Sequence, residues 1–102
     1  MASFKTLTPT NVNDLYSNLV QLHENRNHVK SIRVDSIDQM VKIDLDMMAN
    51  IKVPDFQIPI KSASLTEARE TVEQMWGDSE RGHPPTMGQA ERLFHCIDIS
   101  RH

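Results

Sequence analysis

Between residues 11 and 28 the apolar positions Val12, Leu15, Tyr16, Leu19 and Leu22 recur at three- and four-residue steps, which places them on one face of an amphipathic helix. Thr8 or Thr10 stands where an N-cap is needed. The polar remainder, with Asn13, Ser17, Asn18, Gln21 and Asn25, has modest helix propensity, so packing must hold this helix more than propensity does. After Asn27 the period drops to two. Ile32 and Val34 alternate with Arg33, then Val41, Ile43, Leu45 and Met47 alternate with Lys42, Asp44 and Asp46, which predicts two half-buried strands. Asp35, Ser36 and Asp38 between them supply the short oxygen-bearing side chains of a turn, so the pair is a hairpin. A third alternating run, Phe56, Ile58 and Ile60, follows a break at 48–54. Pro59 has no ladder donor, which assigns this strand to a sheet edge.

The helical period then returns. Ser64 and Glu67 have capping-box spacing, and Leu65, Ala68, Val72, Met75 and Trp76 form an apolar stripe that ends at Gly77, the position of a C′ glycine. Gly82, Gly88, Pro84 and Pro85 mark a loop over 78–86. A last helix over 87–98 begins at Thr86, with Gln89 completing a second capping box and Met87, Ala90, Leu93, Phe94 and Ile97 as its apolar face.

The expected architecture is α+β in the order α-β-β-β-α-α, a three-stranded antiparallel meander with helices packed on one face. With 102 residues the chain supplies one core, so residues 1–102 form a single domain: a body at 8–77, the Gly/Pro loop and the C-terminal helix. The double-stranded-RNA-binding fold shares the first five elements. Its helix after the third strand should open with lysines that meet phosphates, whereas this one reads Ser64, Leu65, Thr66, Glu67, Ala68, Arg69, Glu70, which excludes it.

Charge changes the picture more than composition does. The 38% hydrophobic and 25% charged content is that of an ordinary soluble chain. The net charge of −3 argues against nucleic acid as a partner, because phosphate binding draws on Lys and Arg. Residues 35–80 carry ten acids against four bases, a balance of −6, while the rest carries four acids against seven bases, a balance of +3. The middle of the chain is therefore acidic. A lone Cys96, no signal-peptide pattern in the first ten residues and no long apolar run set a cytoplasmic protein with no membrane association as the expectation, in the host cytoplasm if the protein is of phage or viral origin.

Several clusters carry the letters of a site without its geometry. His83, His95, Cys96 and His102 are zinc-ligand types, but their spacing matches no finger, and neighbouring side chains on a helix diverge by about 100°. Asp98, Ser100 and His102 fall within a chain end rather than on separate rigid elements, as a triad requires. Cys96 has only Arg92 nearby in sequence to lower its pKa. Asp44 and Asp46 share a strand face and are a carboxylate pair in form, yet Lys42, Arg33 and Lys61 are placed to neutralise that face. No catalytic set, cofactor or metal is expected, and the chain is read as a non-enzyme.

What remains is surface. Asp35, Asp38, Asp44, Asp46, Glu67, Glu70, Glu73 and Glu80 are candidates for an acidic docking patch, and Met40 and Met48, out of phase with the buried face, for apolar partner contacts. The strand at 29–34, open to strand addition if it is an edge, and the last helix are two further interface elements. Trp76 and Phe94 lie on apolar helix stripes and are expected in the core. The functional expectation is a small interaction protein, a regulator or inhibitor of a larger protein or protein complex. Small phage or viral accessory proteins, including inhibitors of host defence, are similar to it in length and lack of motif. The alternatives are a homodimeric assembly subunit, a nucleic-acid-binding regulator that uses Arg26, Lys30 and Arg33, and a small enzyme.

Overall fold

The computed structural model describes residues 5–45 and 55–100. Along them lie β1 (Lys5–Thr6), α1 (Val12–Glu24), β2 (Val29–Asp35), β3 (Met40–Leu45), β4 (Phe56–Pro59), α2 (Leu65–Glu80) and α3 (Met87–Cys96), with 3₁₀ turns at Arg26–His28 and Ser62–Ser64. The α+β class and the meander of β2, β3 and β4 are as the periodicity predicts. One strand was not foreseen: β1 pairs in parallel with β4, which makes a mixed four-stranded sheet in the order β1-β4-β3-β2.

Register explains the two faces. Ile32 and Val34 stand opposite Ile43 and Val41, which in turn face Phe56 and Ile58, so one face of the sheet is apolar. Leu15, Leu19 and Leu22 of α1, Ala68, Val72 and Met75 of α2, and Ala90 and Leu93 of α3 join that face in a single core. Each fully buried Leu or Ile contributes about 2 kcal/mol. The opposite face carries Ser31, Arg33, Asp35, Lys42, Asp44 and Gln57. Trp76 and Phe94 pack against the core but remain half-buried.

Pro59 does not put β4 at an edge. Ile60 N–H donates to Gln39 O at 2.8 Å, on the β3 side, whereas Leu7 N–H reaches Gln57 O at 2.8 Å on the β1 side. Backbone groups alternate along a strand, so Pro59 also faces the β1 side. There β1 has already ended, and the Pro59 carbonyl accepts from Asp98 N–H at 3.0 Å. The missing amide therefore costs no bond to β3; proline marks a gap in the ladder rather than the border of the sheet.

Helix ends also differ from the sequence expectation. Asn11, not Thr8 or Thr10, caps α1: its Oδ1 accepts from Asp14 N–H at 2.9 Å. The helix stops at Glu24, short of His28, where the Asn25 side chain donates to Gln21 O at 2.9 Å and the chain tightens into the 3₁₀ turn. Ser64 makes no capping bond to α2, because the preceding 3₁₀ turn carries the chain into the helix directly. Nor does Gly77 end α2. The helix continues to Glu80, and Gly82, with φ of +90°, is the left-handed C′ residue of a Schellman motif in which Gly82 N–H donates to Ser79 O at 3.0 Å and His83 N–H to Asp78 O at 2.9 Å.

The last helix is part of the body. Thr86 and Gln89 form the reciprocal capping box that their spacing predicts. Ala90, Leu93 and Cys96 are buried against α1 and α2, so the central apolar stripe of α3 is used in the core, while Met87 is exposed and Phe94 half-buried. It ends at Cys96, before the expected 98, because Ile97 turns extended and bridges to Ile60, with Lys61 N–H bonded to Cys96 O at 2.9 Å.

Candidate functional site

The acidic candidates separate into two groups once the register is known. Asp35 Oδ1 accepts from Ile37 and Asp38 N–H at 2.9 and 3.0 Å and shapes the hairpin turn, while Lys42 Nζ lies 3.3 Å from Asp35 and also pairs with Asp38. The Asp38 N–H bond, opposed by desolvation but aided by Lys42, holds the Asp35 carboxyl below its ordinary range; the bond to Asp38 likewise pushes the Lys42 ammonium up. Asp44 accepts from Ser31 Oγ at 2.9 Å and Arg33 Nη1 at 3.2 Å. These three acids are thus occupied within the hairpin. Lys61 does not join them, since its Nζ turns to His95 O at 3.3 Å. Met40 lies half-buried between Asp35 and Pro59, and Asp46 and Met48 lie outside the described residues.

Glu67, Glu70, Glu73 and Glu80 are exposed on α2, and among the described residues none of them has an ion-pair partner. Glu73 and Glu80 belong to a second feature. With Arg69, Val72, Trp76 and Gly77 they line a groove of about 280 Å³ whose other wall is Ile32, Arg33 and Val34 of β2. Helical spacing puts Arg69, Glu73, Trp76 and Glu80 on one stripe, facing the outer border of the sheet.

That border is bare. Odd-numbered β3 residues bond to β4, as the Gln39 contact with Ile60 shows, so Met40, Lys42 and Asp44 bond to β2. Their partners Asp35, Arg33 and Ser31 face inward, and the N–H and C=O groups of Ile32 and Val34 face outward. Among the described residues nothing pairs with them. Both side chains are half-buried and point to the groove. The sequence named the strand but missed Arg69 and the groove, because the alignment of α2 with β2 is set by tertiary packing.

The remaining clusters are put to structural use. Cys96 is fully buried, its Sγ bonds Arg92 O at 3.3 Å, and burial followed by the Glu67 charge pushes the thiol up, away from nucleophilic thiolate. Ser100 Oγ donates to Asp98 at 2.6 Å, and His102 lies outside the described residues. His23 Nδ1 sits 2.6 Å from the buried Ser79 Oγ and ties the end of α1 to the end of α2. Among the described residues no three His, Cys, Asp or Glu side chains converge to hold a metal, and no helix is long and apolar enough to cross a membrane. Compared with protein-family models, curated proteins and solved structures, the chain matches none.

Proposed function

We propose that the chain is a non-enzymatic protein-protein interaction protein, a regulator or inhibitor that engages a larger partner through the outer edge of β2. One observation carries this reading: a seven-residue edge strand with outward backbone groups at Ile32 and Val34, beside a half-apolar groove. A bare edge is a template for a foreign strand, and main-chain bonds give affinity while a flanking pocket gives selectivity. The free acids of α2 border the same region and add charge selection. Such a role suits a phage or viral accessory protein acting in the host cytoplasm, a setting that rests on small size and lack of motif.

The test is affinity capture from the native host with the wild type and with Val34→Pro. Proline at 34 removes the outward N–H and spares the bonds to β3, as Pro59 does on β4. A partner identified by mass spectrometry that binds the wild type and is lost with folded Val34→Pro supports the reading. Equal retention of every partner by both proteins overturns it.

A further inference from the structure

We infer that the β2 edge receives a segment of another protein that adds as an antiparallel strand, acidic at its amino-terminal end, aliphatic in its middle and basic at its carboxyl-terminal end. This rests on the reading of the edge as a partner site. The backbone sets the mode. Ile32 and Val34 offer two outward pairs of donor and acceptor about 7 Å apart, the repeat of an extended strand. A helix has its backbone groups already bonded and cannot use them. A residue opposite Ile32 or Val34 places its side chain on the helix-bearing face, where the Val72 and Trp76 wall of the groove takes an aliphatic group.

Charge sets the direction. Pro59 stands opposite Met40 beside the hairpin turn, and α2 starts shortly after it, so α2 begins at the hairpin end of the sheet. Ser79 meets His23 at the end of α1, from which the chain turns into β2, so α2 ends where β2 begins. Arg69 therefore lies toward Val34, and Glu80 toward Val29. Among the described residues neither has an ion-pair partner. A strand antiparallel to β2, the more stable sense of pairing, passes Arg69 first and Glu80 last. Along the α2 wall of the groove the complementary order is acid, then base.

Two synthetic peptides test this, both with alternating valine and threonine, one with glutamate first and lysine last, the other with these two exchanged. Titrated into isotope-labelled protein, the first should shift the Ile32 and Val34 amide signals and bind about fivefold more tightly, the worth of two exposed ion pairs. The double variant Arg69→Glu with Glu80→Arg should invert that preference. Equal binding of both peptides at the edge, or a preference for the exchanged one, overturns the inferred polarity and leaves the edge reading standing. No shift at Ile32 and Val34 with either peptide overturns strand addition by such a segment, while the capture experiment with Val34→Pro judges the edge reading independently. A dimeric mass with Ile32 and Val34 amides already protected from exchange in the protein alone assigns the edge to a second copy and overturns the inference.

Discussion

The sheet has two borders, built from the same chain and treated in opposite ways. On the β4 side the outer backbone groups are used from end to end: Lys5 N–H takes Asp55 O at 2.9 Å, Leu7 N–H takes Gln57 O, Asp98 N–H takes Pro59 O, and Lys61 N–H takes Cys96 O. Two short pieces from opposite ends of the described chain close that side, and a proline fills the one position without a donor to offer. On the β2 side the outward groups of Ile32 and Val34 have no backbone partner among the described residues, and the strand's irregularity between Val29 and Ser31 and the charge of Lys30 stand only at its start. Natural sheets manage their edges, and this one covers one border while confining the bulge and the lysine of the other to the start of β2, ahead of Ile32 and Val34. The contrast is what makes the β2 edge a functional candidate rather than leftover surface.

The largest expected effect breaks the closed border. Ile97 is 2% exposed and joins α3 to Ile60, so Ile97→Ala should cost about 3 kcal/mol in urea unfolding. A loss below about 1 kcal/mol would show that the tail covers β4 without holding it. Next in size is a comparison within the open border. Arg33 N–H faces Lys42 and Val34 N–H faces outward, so Arg33→Pro should be less stable than Val34→Pro by about 2 kcal/mol, the cost of a lost ladder bond with an orphaned carbonyl. Equal losses would reverse the assignment of the outward groups. Smaller again is the cap that positions the closing tail: Thr86→Ala should cost about 1 kcal/mol, and Ser64→Ala, which loses no capping bond, should change the midpoint little.

Those two caps show what was legible in the sequence. Ser64 with Glu67 and Thr86 with Gln89 have the same spacing, but only the second is a capping box, because the residues before Ser64 form a 3₁₀ turn that no local rule signals. Long apolar periods were legible: the hairpin, β4 and all three helices stand where alternation or the helical stripe places them. β1 was not, since Lys5 and Thr6 are too few for a period and are a strand only because β4 lies beside them. The same limit applies to the site. Charge counting put Asp35, Asp44 and Glu73 in one acidic middle, yet cross-strand pairing consumes the first two and leaves the third free at the groove.

The smallest effect is a pH dependence that reaches the open border alone. His23 anchors the last turn of α2 through Ser79, and that turn, with Glu80, forms one wall of the groove. Burial first, then the neighbouring Arg26 charge, lowers the His23 pKa from its ordinary 6.5, with Glu24 partly opposing. Between the lowered folded value and 6.5 the unfolded chain holds a proton that the folded chain does not, so this part of the stability is complete above 6.5 and is lost as pH falls through the folded value. Thermal unfolding near neutrality and at about pH 5 should therefore show a larger drop for the wild type than for His23→Gln, which keeps a polar group beside Ser79 without titrating there. Identical drops would mean that the contact is not linked to folding. In the same acidification, Trp76 fluorescence should shift in the wild type while the Asp98 amide keeps its protection from exchange, because no bond of the closed border includes His23.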